Sequence, residues 1–184
     1  MTNGPTFPWH LTNLGNWTHL TNVDQSSAAS GPFDVKQPDS GIATAALPGS
    51  STSVGRFIRA VFYSNFTEKV AGPDKAMHNL SRIMNNFDRP RALSTSPATG
   101  GGEGMKSQGI DSGNAGPPTE YTVWTNMADL SRGQFFFRSY DAFSWTSFDL
   151  SAIEEANEPR AMLTSQLDAL GGDGTKALLA GMGI

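Results

Sequence analysis

Three phenylalanines stand in a row in GQFFFRSYD, at Phe135, Phe136 and Phe137. Successive side chains of a strand point to opposite faces, so consecutive aromatics need cover on both sides. EYTVWTNM precedes this run and WTSFDL follows it, both rich in aromatic and β-branched residues. Asp129-Leu130-Ser131-Arg132-Gly133 and Asp141-Ala142-Phe143 separate the three segments. Residues 120–150 are therefore expected to form a three-stranded antiparallel meander with further layers on both faces.

The layers are expected to be helical. In TSVGRFIRAVFYSN, residues 52–65, Val54, Phe57, Ile58, Val61 and Phe62 recur at helical spacing. Ser51, Thr52 or Ser53 can cap that helix, because a side-chain oxygen satisfies free N–H groups of the first turn. In PDKAMHNLSRIMNNF, residues 73–87, Pro73 suits the first helical position and Asp74 the positive end of the dipole. Ala76, Met77, Leu80, Ile83, Met84 and Phe87 form its apolar stripe. A further helix is expected from about Pro159 to Leu170, with Gly171 as its stop. Residues 1–50 read as irregular, with Phe7, Trp9, Leu11 and Leu14 forming one strand or turn against a core. Residues 94–118 read as a long loop. GGGEGMKS within it is not a phosphate loop, since Met105 stands where the last glycine is needed. The fold class is α+β, without internal repeat.

Composition narrows the function. The 184 residues suit one domain, and only 16% are charged, against about 25% in typical domains. Two readings fit: a domain that buries much of itself against other polypeptide, or a surface rich in Ser, Thr and Asn. The net charge is −4 and no stretch is strongly basic, so nucleic acid is not an expected partner. The apolar run Ala177–Ile184 is broken by glycines and too short to span a bilayer. There is no cysteine, which removes disulfides, thiolate metal sites and Cys nucleophiles from the chain itself. His10, His19 and His78 lack metal-ligand spacing, and neither metal nor cofactor is expected.

Few residues stand out as chemistry by pattern alone. At 100° per residue, Arg56 lies opposite the apolar stripe of its helix, either as a solvated cation or as a first-turn arginine facing an anion or polarised carbonyl. Asn3 lies in a polar, proline-marked turn, either bonding its own backbone or serving as an amide donor to an oxyanion. His10, between Trp9 and Leu11, reads as a half-buried packing residue, because no GxSxG accompanies it.

Taken together, four stretches are more specific. TNGPTFPWHLTNLGNW resembles the TNSPTFDWHLTNL-type segment of the choloylglycine hydrolase family, the bile salt hydrolases and penicillin V acylases. ALPGSSTSVGRFIRA resembles that family's GLPGDFTPxSRFVRA, and RIMNNFDRP is similar to its ILNNFDIP-type segment. TEYTVWTNMADLSRGQFFFRSYD resembles its YTQWTSVADLKNKxYYFRTYDN. The order is the family's, and the resemblance covers about residues 2–150.

The resemblance implies the C-terminal part of an N-terminal nucleophile (Ntn) hydrolase αββα sandwich, with antiparallel sheets covered by helices. Residues 1–150 would form the half-domain and 151–184 a partly helical extension. The family's site combines an N-terminal Cys, an Arg and an Asp soon after it, two asparagines and a later arginine. Asn3 matches the second asparagine and Arg56 the later arginine. The remaining members belong to the family's N-terminal half, so this chain is expected to be inactive alone. That half, or a second copy of the chain, is the expected macromolecular partner, and a small amide the expected substrate. A conjugated bile salt, penicillin V and an acyl-homoserine lactone all remain open. A non-catalytic half-domain with a binding or assembly role is the alternative. Pro5 and the polar residues after Met1 leave no apolar signal region, and a periplasmic or secreted location is expected only for a longer parent. Pro8, Ser50 and Gly55 depart from the family's usual Asp, Asp and Ser, which bears on substrate preference more than on fold.

Overall fold

The structure is a computed structural model and describes residues 4–94, 119–156 and 159–183. The chain divides into two units, Met1–Val70 and Ala71–Ile184.

The first unit opens with helix α1, Phe7–Leu14, where a strand or turn was expected. Phe7, Trp9 and Leu11 alternate like a strand. Once His10 is counted among the packing residues, however, Phe7, His10, Leu11 and Leu14 fall at i, i+3, i+4, i+7. Pro8, in the first turn, has no N–H to leave unpaired, and so suits the helix start. Strands β1, Ser27–Ser30, and β2, Phe33–Lys36, form an antiparallel pair in which every residue is exposed. A one-turn 3₁₀ helix, Ile42–Thr44, follows. Asp24 accepts from the N–H groups of Ala43 at 2.8 Å and Gly41 at 2.7 Å, and these bonds, that from Ala43 first, hold its carboxyl below the usual range. Helix α2, Ser53–Phe66, matches the expected span, and the Thr52 hydroxyl accepts from Gly55 N–H at its start.

In the second unit, helix α3 runs Pro73–Asn85, with Pro73 at its start and Asp74 in the first turn as expected. The meander is present as β3, Trp124–Asp129, β4, Gln134–Ser139, and β5, Thr146–Asp149, paired antiparallel in sequence order. Asp149 then caps α4, Leu150–Glu155, through the N–H groups of Ser151 and Ala152. The helix expected over Pro159–Leu170 is shorter. Arg160 and Ala161 form β6, and α5 begins only at Thr164 and ends at Asp168. Arg160 and Ala161 instead pair with β8, Met182–Gly183, a partner some 20 residues away that local periodicity cannot reveal. Between them, β7, Gly172–Asp173, joins β5 in parallel as a fourth strand, and α6, Thr175–Leu179, follows.

The sheet order is β3-β4-β5-β7, with helices on both faces. Thr125, Met127 and Asp129 alternate as the buried side of β3, toward α3. On the opposite face, Ser139 bonds Asp168 of α5, while Thr146 and Phe148 lie under Gly174, where α6 begins. A Cβ on Gly174 would sit 2.5 Å from Thr146 Cγ2, so glycine is what lets that segment close on the sheet. Phe135, Phe136 and Phe137 are each half-buried, as cover on both faces requires. Among the described residues, the buried large apolar side chains are Ile58 and Phe62 in the first unit and Met127 and Phe148 in the second.

The β3–β4 turn is fastened by charge. Asp129 Oδ1 accepts from Ser131 Oγ at 2.6 Å, and Oδ2 from Arg132 Nε at 2.6 Å. Arg132 Nη1 also reaches Asp74 at 2.6 Å. The Ser131 hydroxyl first, and the Arg132 guanidinium second, lower the Asp129 pKa to about 2.

Candidate active site

Helix α2 and the turn before it form a tightly connected piece of the first unit. The turn, Pro48–Thr52, lies along the first two turns of the helix and presents its carbonyls to two arginines. Arg56 Nη1 donates to Ser51 O at 2.8 Å. Arg59 Nη1 donates to Pro48 O at 2.6 Å and to Ser50 O at 2.7 Å. The two side chains differ in burial: Arg56 is half-buried, while Arg59 is 9% exposed. Ser50 Oγ and Thr52 Oγ1 are 2.9 Å apart and hydrogen-bonded, which closes the turn on itself.

The buried side of α2 is not centred on the apolar stripe. Gly55, Ile58, Arg59 and Phe62 are its buried residues, whereas Val54, Phe57 and Val61 are half-buried. At 100° per residue, the buried face is rotated roughly 80° from the stripe, toward Gly55 and Arg59. The turn causes this rotation. A Cβ on residue 55 would collide with Ser50 Oγ and lie 2.7 Å from Ser50 O, so the turn packs where a side chain would otherwise stand.

Helix α1 packs on the other flank of α2. The His10 ring stacks on Phe57 at 4.4 Å between centroids and 22° between planes, and Trp9 meets His10 edge-on at 5.6 Å. His10 is 2% exposed. It is a packing residue, as the sequence suggested, but fully rather than half buried.

Of the two site residues expected from sequence, Arg56 lies in the first turn of α2, as its position in the pattern implied. Asn3 lies outside the described residues. Sequence reasoning missed Arg59, because the helical wheel sets it beside the apolar stripe. The available signal was Gly55, one turn earlier on the same face and next to a turn rich in carbonyls.

In the second unit, the NNFD stretch lies against the sheet. Arg138 Nη1 donates to Asn85 Oδ1 at 2.9 Å and Nη2 to Asp88 Oδ2 at 2.6 Å, with the guanidinium 4.8 Å above the Trp145 ring. Arg91 lies over the edge-to-face pair of Tyr121 and Tyr140, 4.6 Å from each centroid. A cavity of about 280 Å³ opens here, lined in part by Thr122, Trp124, Tyr140 and Phe143. Arg89 and Arg138 also line it, but are paired with Glu120 and Asp88. Among the described residues, no group of three or more His, Asp or Glu side chains is placed to hold a metal ion.

These features match known proteins. Residues 1–99 match the model of the linear amide C–N hydrolases, choloylglycine hydrolase family. The chain is 30% identical over 150 residues to a conjugated bile acid hydrolase of Lactobacillus acidophilus, an alignment covering 82% of this chain and 42% of that protein. Among solved structures, it resembles a variant of the conjugated bile acid hydrolase of Clostridium perfringens (TM-score 0.62, 21% identity, 82% of this chain, 40% of that one). It also resembles a penicillin V acylase of Agrobacterium tumefaciens (TM-score 0.52, 24% identity, 82% of this chain, 35% of that one). Both have the Ntn-hydrolase fold, and the likeness shows that α+β fold for this chain. The chain spans about two fifths of the length of the curated relatives it matches. The matched model, the shared fold and the four ordered segments agree: the chain belongs to the choloylglycine hydrolase family of linear amide C–N hydrolases.

Proposed function

We propose that this chain is the portion of a linear amide hydrolase that carries Asn3 and Arg56, working with a Cys-first polypeptide that it does not itself contain. The observation that carries this reading is Arg56, held half-buried in the first turn of α2 within the segment that matches the family. The names of the relatives point to a conjugated bile acid as the amide, and the acylase neighbour points to penicillin V as the other candidate.

The chemistry divides between the two parts. The cysteine thiol gives its proton to its own α-amino group, and the thiolate so formed attacks the amide carbonyl. The negative charge that develops on the carbonyl oxygen needs N–H donors, and the Asn3 side-chain amide supplies one. The C–N bond then breaks, the amine leaves with a proton, and water cleaves the resulting thioester. The Arg56 guanidinium, fixed by the Ser51 carbonyl, favours the thiolate over the thiol by its charge. The partner is the N-terminal half of the same fold.

Hydrolysis of a conjugated bile acid and of penicillin V tests the proposal. The purified chain should give no turnover, and addition of a Cys-first polypeptide of the family should restore it. In the restored enzyme, Arg56→Gln or Asn3→Ala should lower kcat by about 10²–10³-fold. Turnover by the chain alone in proportion to its concentration, or full activity with both residues replaced, would refute the assignment.

A further inference from the structure

We infer that Arg59 is a positioning residue that sets the guanidinium of Arg56 by gripping the turn before helix α2. The inference rests on the catalytic role proposed for Arg56 and goes beyond it, because Arg59 itself touches no reacting group.

Three links make the argument. One nitrogen, Arg59 Nη1, donates to Pro48 O at 2.6 Å and to Ser50 O at 2.7 Å, so a single planar group ties down both carbonyls that flank Gly49. The next carbonyl, Ser51 O, is the acceptor for Arg56 Nη1 at 2.8 Å. Where Ser51 O sits is therefore decided by how the preceding three residues are held. The third link is Gly55, whose missing side chain is what allows Ser50 to reach Arg59. Arg59 is nearly closed off from solvent, and a buried guanidinium holds its geometry only where its N–H groups are met. Thr52 adds a local lock through Gly55 N–H and Ser50 Oγ, which ties the turn to the start of the helix. Lysine carries the same charge, but its stem ends one bond short of Nη1 and its ammonium is not held in a plane, so it does not hold both carbonyls as the guanidinium does. The charge of Arg59 and its geometry can thus be separated by one substitution.

The test is the rate at which phenylglyoxal modifies each arginine of the chain, read by peptide mass spectrometry, with the exposed Arg82 on α3 as internal reference. In the unaltered chain Arg59 should react at least about tenfold more slowly than Arg82, as expected for a buried, hydrogen-bonded group. Arg59→Lys should raise the rate at Arg56 by about fivefold to tenfold, the scale of one ordinary hydrogen bond. It should also move the Arg56 Nε–Hε resonance toward that of Arg82. Gly55→Ala, which keeps both arginines, should do the same by displacing Ser50. Should Arg59→Lys fail to fold, the glycine variant and the ranking in the unaltered chain decide. Arg59 reacting as fast as Arg82 overturns the inference. So does a variant whose melting temperature falls while the Arg56 rate and resonance stay unchanged, the mark of a merely structural arginine. In the restored enzyme, Arg59→Lys should lower kcat with KM little changed. Reactivity and turnover can fail separately. No turnover from the unaltered chain with the Cys-first polypeptide, with the reactivity pattern intact, removes the proposed function and leaves the clamp. The reverse removes the clamp and leaves Arg56 in the site.

Discussion

Strands β2 and β5 are both four residues long, and their circumstances are opposite. In β5, Thr146 and Phe148 are buried, with β4 on one side, β7 on the other and Gly174 of the α6 approach pressed against them. In β2, Phe33 is 69% exposed, and among the described residues its one sheet partner is β1, itself exposed along its length. An isolated two-stranded ribbon is marginal in water, because it buries too little apolar surface to offset the ordering of its backbone. Helices α1 and α2 repeat the contrast. α2 buries Ile58 and Phe62, whereas α1 buries only His10 and leaves Phe7, Trp9 and Leu11 exposed. The chain thus completes its packing in some places and leaves apolar surface open in others, consistent with a portion of a larger fold.

The largest effect is expected where packing is complete. Phe148→Ala should destabilise the chain by about 3–5 kcal/mol, read as a fall in the denaturant midpoint. A loss below about 1 kcal/mol would mean that β5 is no better packed than β2, and the comparison would fail.

Asp129 offers a test in which pH is the variable. Its pKa in the folded chain is lowered to about 2 from 3.8, so its contribution to stability is fully present above pH 4 and fades as pH falls toward 2. The difference in melting temperature between the unaltered chain and Asp129→Asn should therefore be constant from neutral pH to about pH 5 and should close below pH 4. A difference that widens as pH falls would contradict the hydrogen bonds from Ser131 and Arg132.

The smallest effect is expected at Phe33. Phe33→Ala should change stability by less than about 0.5 kcal/mol in the chain alone. Repeating the measurement with the Cys-first polypeptide bound sharpens the comparison, since a larger loss there would show that the ribbon is covered in the assembly.

Much of this was legible in the sequence where local pattern and tertiary need agree. The meander was readable because turn residues separate three runs of aromatic and β-branched residues. Helix α2 was readable because its cap, Thr52, and its periodicity coincide. Helix α1 was misread because alternation at Phe7, Trp9 and Leu11 competes with a helical stripe that becomes visible only when His10 counts as apolar. The β6–β8 pair was missed because its two halves lie far apart in the chain. At the candidate site, Arg56 was found by resemblance and its place on the helix by periodicity. Arg59 was not found, because its partners are backbone carbonyls, which have no signature in side-chain identity.

The most direct test of the central claim is to isolate the native protein that contains these residues and measure its intact mass and the mature N-terminus of every chain present. The account predicts a cysteine at a mature N-terminus, either in a polypeptide larger than 19.6 kDa that includes this sequence or in a second chain that co-purifies with it. A lone polypeptide of 19.6 kDa that hydrolyses amides without any cysteine would contradict it.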